Sequence, residues 1–143
     1  MKQTTLKVKT LFEDCILPIR KTDYSAGYDI SSYCDYTIKP NSFTLISTGL
    51  CITVPYGTYG QLASRSGMSC KGTTVGAGVI DRDYTGEVKV LLFNLNTNED
   101  IIIQKGDRVA QLLLKHVSMV DVEVVDSLDI TDRGEGGFGS TGI

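Results

Sequence analysis

Apolar and polar positions alternate along most of this chain with a period of two. Leu6 and Val8 alternate with Lys7 and Lys9. Val88, Val90 and Leu92 follow the same rule around Lys89 and Leu91, and Phe93 and Leu95 extend that run. Val120, Val122 and Val124 do so around Asp121 and Glu123. In a strand successive side chains point to opposite faces, so each run predicts a strand with one buried side. Shorter β-rich pieces lie at residues 37–38, 43–46, 50–54, 101–103 and 109–114. Pro40-Asn41, Gly49, Pro55-Tyr56-Gly57, Asn96-Thr97-Asn98 and Lys105-Gly106-Asp107 separate them as turns. Helical periodicity is missing from every longer window; a single short helix is expected at residues 66–71. Many short strands at this spacing predict an all-β fold, a jelly-roll-like distorted β-barrel or sandwich with one short helix.

The last stretch breaks the pattern. Five of the final ten residues are glycine: Gly134, Gly136, Gly137, Gly139 and Gly142. So little apolar surface cannot offset the entropy of ordering, which fits a plain linker. Arg133, Phe138, Ser140 and Thr141 argue for more. A cation, an aromatic ring and two hydroxyls among glycines can close over a charged, ring-bearing ligand. The expected organisation is a β domain over residues 1–132 followed by a flexible arm over residues 133–143.

Composition narrows the function. At 143 residues the chain suits one domain with a real core. Fourteen Lys and Arg against 17 Asp and Glu give a net charge of −3. That balance argues against sequence-independent nucleic-acid binding, which rests on many cation–phosphate contacts. No apolar run approaches the ~18 residues of a membrane span, so no membrane partner is expected. Cys15, Cys34, Cys51 and Cys70 are scattered without metal-ligand spacing and read as reduced, mostly buried residues of an intracellular protein. The start, MKQTTLKVKT, carries no apolar signal segment; cytoplasm or nucleus is the expected setting. The single histidine, His116, sits beside no Cys or carboxylate cluster and reads as structural.

Two stretches carry chemistry that packing does not require. In Ala63-Ser64-Arg65-Ser66-Gly67, a guanidinium, a hydroxyl and a glycine stand at the mouth of the short helix, where backbone N–H groups can receive an anion. Taken alone this is also an ordinary helix cap. In Val75-Gly76-Ala77-Gly78-Val79-Ile80-Asp81-Arg82-Asp83-Tyr84-Thr85-Gly86, glycines that allow close backbone approach precede two carboxylates and a tyrosine. A simple hairpin turn at residues 83–86 is the plainer account of the carboxylates.

Five segments in order resemble the five motifs of the trimeric dUTPase family, eukaryotic and large-DNA-virus type. They are Ala26-Gly27-Tyr28-Asp29-Ile30, the Arg65-Ser66-Gly67 stretch, the Gly76-to-Gly86 stretch, Gly106-Asp107-Arg108-Val109-Ala110-Gln111, and the run from Arg133 to Gly142. The third and fifth are specific individually; the ordered set spans nearly the whole chain. The resemblance implies an Mg²⁺-dependent homotrimer that cleaves dUTP to dUMP and pyrophosphate, with each site shared among subunits. Asp81 would be the general base for in-line water attack at the α-phosphorus. Tyr84 would lie against the deoxyribose and exclude a 2′-hydroxyl. The hairpin backbone around Gly78 would pair with the uracil edge, leaving cytosine with unpaired buried groups. Arg65, Ser66, Gly67 and Gln111 would hold the phosphates. Asp29 would support the metal through water, because Mg²⁺ keeps several waters and is bound largely by substrate phosphates. On the arm, Phe138 would stack on uracil, Arg133 and Ser140 would reach the phosphates, and Gly139 would permit close approach.

Two positions depart from the family pattern. Ser64 stands where a proline usually precedes the arginine, and loss of its φ restraint would loosen the phosphate loop. Arg82 stands where an acidic or small residue is common, adding positive charge beside Asp81 if it turns that way. Two other readings share the fold: a dCTP deaminase-like enzyme, and a catalytically silent nucleotide-binding or signalling module. The Val79-Ile80-Asp81 string with Tyr84, and the complete arm, favour the pyrophosphatase.

Overall fold

The computed structural model describes residues 5–140 and 142, and its architecture is almost entirely β. Ten strands form: β1 (Lys7–Thr10), β2 (Tyr28–Ser31), β3 (Tyr36–Ile38), β4 (Ser42–Thr53), β5 (Thr58–Ala63), β6 (Thr73–Gly76), β7 (Val79–Ile80), β8 (Glu87–Asn94), β9 (Ile101–Ile103) and β10 (Arg108–His116). One helix, α1 (Ser66–Cys70), interrupts them. Two four-stranded sheets, ordered β1-β4-β8-β6 and β2-β10-β5-β7, enclose the core, and β3-β9 adds a two-stranded piece. All pairings are antiparallel.

The period-two pattern becomes the core directly. On β8 the buried positions are Val88, Val90, Leu92 and Asn94, one face of an alternating strand. They meet Ile46, Ile52 and Val54 of the first sheet's side, Ile30, Leu62, Ile80, Val109 and Leu112 of the second, and Ile38 and Ile103 of the third. Asn94, like Thr48 and Ser32, is a deeply buried polar residue, and its amide is fully used. Nδ2 donates to the carbonyls of Ile38 at 2.9 Å and Glu99 at 2.8 Å, while Oδ1 accepts from the Asn96 amide. A buried amide so satisfied ties β3 and the approach to β9 onto the end of β8.

Three expectations need correction. Residues 43–46 and 50–53 are parts of one strand, β4, rather than two strands broken at Gly49, and Val54 lies just beyond its end. Gly49, at φ +70°, sits in a bulge where the register to β8 shifts between Ser47 and Cys51. The Glu87 carboxylate holds that bulge by accepting from Ser47 Oγ and from the Gly49 amide at 2.9 Å. The run Val120, Val122, Val124 does not form a strand. A strand needs a neighbour for its N–H and C=O groups, and within one chain it finds none; Val122 and Val124 are both 95% exposed. The cysteines are free thiols, but Cys34 and Cys70 are exposed and only Cys51 is buried.

The segment between β1 and β2 is pinned to the turn before β10. Phe12 stacks on Tyr33 with ring centroids 4.4 Å apart, and Lys105 Nζ lies 4.2 Å from the Tyr33 ring centroid. Lys105 also pairs with Asp14, which accepts a 2.7 Å bond from the Tyr33 hydroxyl. The Lys105 and Tyr33 hydrogen bonds hold the Asp14 carboxyl below the ordinary carboxylate range, and the same contact raises Lys105. Among the described residues no helix is long and apolar enough to cross a membrane.

Candidate active site

The residues singled out in the sequence fall into three places. The first is a corner where β2, β10 and the end of β5 meet. The pairing of β2 with β10 sets Asp29 opposite Gln111, and the pairing of β5 with β10 sets Gln111 opposite Ala63. Arg65 follows immediately in extended conformation and opens α1, which has no side-chain cap. Arg65, Ser66, Gln111, Asp29, Gly27, Ser25 and Lys21 thereby line one cavity of about 280 Å³.

Each side chain in this corner is held. Asp29 Oδ1 lies 3.3 Å from Arg65 Nε, and Oδ2 lies 3.8 Å from a terminal nitrogen of Arg108. Arg65 also donates to the Arg108 carbonyl at 3.0 Å. Gln111 Nε2 donates to the Ser64 carbonyl at 2.9 Å. Gly27 leaves room for Gln111, since a Cβ at that position would stand 2.9 Å from the Gln111 Cβ, which cannot swing away. The corner brings Lys21 and Arg65 together with Ser25 and Ser66 around one space, a suitable receptor for phosphate oxygens. Gly67 faces the neighbouring groove beside Arg65 and Arg108.

The second place is the hairpin β6–β7 and the turn after it. Ala77 and Gly78 have positive φ, 51° and 103°, and they reverse the chain between the two strands. The Gly78 carbonyl accepts from the Leu62 amide at 2.8 Å, drawing the hairpin tip onto β5. A Cβ at Gly78 would lie 2.7 Å from the Leu62 carbonyl oxygen, so both conformation and space require glycine. Gly78, Asp81 and Tyr84 line a cavity of about 340 Å³ with Leu62, Val79 and Ile80. The Tyr84 amide donates to the Asp81 carbonyl at 3.1 Å, closing a turn, and its hydroxyl donates to the Glu87 carbonyl at 2.9 Å. This fixes the ring beside the exposed Asp81 carboxylate. The Arg82 guanidinium lies over the Tyr56 ring, 5.1 Å from its centroid.

The third place is the arm, which the fold leaves away from both cavities. Arg133 Nε bonds the Gly136 carbonyl at 2.7 Å, and Ser140 Oγ accepts from the Gly137 amide at 3.0 Å. Phe138, beside Gly139 and both at positive φ, is fully exposed. Thr141 lies outside the described residues. Among the described residues the two cavities share no lining residue, and neither includes one from the arm. Among the described residues, no three His, Cys, Asp or Glu side chains gather as a metal site.

Two contributors escaped the sequence reading. Arg108 was only part of a motif string, yet it braces Asp29 and Arg65. Ser64 was noted only as a departure, yet its hydroxyl accepts from the Val75 amide at 3.0 Å. Both act through pairings between distant segments, which no local signal reports.

The dUTPase family model matches residues 13–142. A deoxyuridine 5′-triphosphate nucleotidohydrolase of Paramecium bursaria Chlorella virus 1 is 51% identical, over 98% of this chain and 99% of its own. The enzyme of that name in Saccharomyces cerevisiae is 50% identical over 96% and 94%. Among solved structures, the Staphylococcus bacteriophage 80alpha dUTPase with dUpNHpp superposes with a TM-score of 0.90 at 30% identity, over 99% of this chain and all of that one. A mutant dUTPase from phage phi11 of S. aureus, described for its coordination of a structural Mg(II) ion, has a TM-score of 0.82 at 26% identity, over 88% and 99%. With Asp81, Tyr84 and Gly78 gathered at one hairpin and Arg65, Ser66 and Gln111 at one corner, the likeness in sequence and in fold has a single meaning: this chain belongs to the dUTPase family.

Proposed function

We propose that the protein hydrolyses dUTP to dUMP and pyrophosphate, at sites each assembled from several copies of the chain. The observation that carries this reading is the hairpin cavity, where backbone at Gly78, the Tyr84 ring and the Asp81 carboxylate face one space. Uracil pairs with backbone N–H and C=O groups of the hairpin. A base with the opposite donor and acceptor pattern leaves buried groups unpaired, which is a strong penalty. The Tyr84 ring, fixed through its bond to Glu87, occupies the space a 2′-hydroxyl would need.

Asp81 accepts a hydrogen bond from the attacking water and takes its proton as the oxygen bonds to the α-phosphorus. The bond from that phosphorus to the bridging oxygen breaks, and pyrophosphate leaves with the electron pair. Arg65, Ser66 and Gln111 orient the phosphates, and Gly67 lets the chain come near them. Their preorganised donors offset the developing charge despite the chain's net charge of −3. When bound with the triphosphate, Mg²⁺ would supply charge neutralisation there. Asp29 is the one carboxylate lining the corner cavity, and with two guanidiniums beside it, it suits water-mediated support rather than direct coordination. The arm, residues 133–143, folds over the nucleotide: Phe138 stacks on uracil, Arg133 and Ser140 reach phosphate, and Gly139 permits the close approach.

The homotrimer is the assembly that the resemblance to trimeric dUTPases implies, and what one chain leaves apart supports sites shared between copies. Base-side and phosphate-side groups line different cavities, and the exposed Phe138 reaches neither. The alternating Val120–Val124 run is that of a half-buried strand, so a neighbouring copy offers the partner its own chain lacks. Free thiols at all four cysteines support an intracellular setting, cytoplasmic or nuclear. The test is pyrophosphate release with Mg²⁺ from dUTP beside dCTP, dTTP and UTP. Release from dUTP alone is expected; equal release from the others overturns the pocket assignment, and ammonia release from dCTP indicates a deaminase.

A further inference from the structure

Ser64 stands at a junction of three site-bearing segments. It follows β5, precedes Arg65, and is half-buried. Its Oγ accepts from the Val75 amide at 3.0 Å, and its carbonyl accepts from Gln111 Nε2 at 2.9 Å. Val75 lies on β6, an outer strand whose sheet neighbour is β8. Alternate amides of an outer strand point away from the sheet and need an acceptor elsewhere. The Ser64 hydroxyl is that acceptor. The helix that begins at Ser66 has no side-chain cap, so its own entry is not fixed by a local bond. Arg65 is therefore carried on a short extended link whose anchorage is the residue before it.

We propose that Ser64 is a positioning residue for phosphate binding: its hydroxyl fastens the Arg65 link to β6 while its carbonyl aims the Gln111 amide. The inference rests on the proposed dUTP hydrolysis. It concerns how tightly the phosphate groups are held, so its mark is KM rather than the amount of active enzyme. Removing one such hydrogen bond weakens binding about five-fold. The link's freedom touches the phosphate side alone, so preference for dUTP over UTP stays as it is.

The experiment compares wild type, Ser64→Ala and Ser64→Thr in steady-state hydrolysis of dUTP and UTP, with thermal unfolding of each. Ser64→Ala is expected to raise KM for dUTP about five-fold, and Ser64→Thr, which keeps the hydroxyl, to restore it. An unchanged KM in Ser64→Ala overturns the inference, even where kcat falls, since a smaller folded fraction lowers kcat alone. Equal defects in the Ala and Thr variants overturn it too, because side-chain size would then be the cause. A wild type that leaves dUTP intact defeats the proposed function, and this inference with it.

Discussion

Asp29 on β2 and Arg65 at the entry to α1 are joined by an ion pair, with Oδ1 of the carboxylate 3.3 Å from Nε of the guanidinium. The pair is partly exposed, at 21% and 30% of the two side chains, so it adds little to stability. Its effect is directional: with Nε held by Asp29 and one terminal nitrogen by the Arg108 carbonyl, the fork of Arg65 has one way to face. Asp29→Asn removes the charge and keeps the shape. It should lower kcat/KM for dUTP by roughly ten- to a hundred-fold, the cost of misplacing a binding group. Thermal unfolding should move by no more than about 1 kcal/mol in stability.

Tyr84 separates two effects in one side chain. Tyr84→Phe loses the 2.9 Å bond to the Glu87 carbonyl but keeps the ring. Its discrimination against UTP should persist, with a fall in rate of several-fold at most, about the worth of one hydrogen bond. Tyr84→Ala removes the ring and opens the hairpin cavity. The ratio of dUTP to UTP turnover should then fall by at least about ten-fold. Measuring kcat/KM for both nucleotides in both variants checks the pair.

How much of this was legible beforehand differs by element. The buried face of β8 could be read from Val88, Val90 and Leu92, because period-two alternation reports burial directly. The helix at Ser66–Cys70 and the hairpin at Gly78 were visible in their residue types. Gly49 was misread because a bulge and a turn use the same residue, and only the distant Glu87 carboxylate decides between them. The Val120–Val124 pattern was read correctly as alternation and wrongly as a strand of this chain's own sheets, since periodicity does not say which chain provides the partner. The Asp29–Arg65–Arg108 arrangement depends on strand register, which the sequence pattern leaves open.

The arm makes a prediction of its own. Phe138 is exposed and Arg133 and Ser140 bond to other arm residues, so none of the arm's described residues belongs to the core. Deleting residues 133–143 should leave the unfolding midpoint and the number of subunits unchanged. Hydrolysis of dUTP should fall by about a hundred-fold or more, because the base and phosphates lose the groups that close over them. Thermal unfolding and size measurement on the same preparation separate the two effects.

The most direct measurement is subunit complementation. Asp81→Asn disables the hairpin side and Arg65→Ala the phosphate corner, so each variant alone should be nearly inactive. Co-expressed in equal amounts and purified through two different tags, they form mixed assemblies. If each site takes Asp81 from one subunit and Arg65 from another, about one site in three of each mixed trimer receives both intact groups. Recovery of about a third of wild-type dUTP hydrolysis is the predicted result. Mixed assemblies as inactive as the single variants would contradict it, and would place the whole site within one chain.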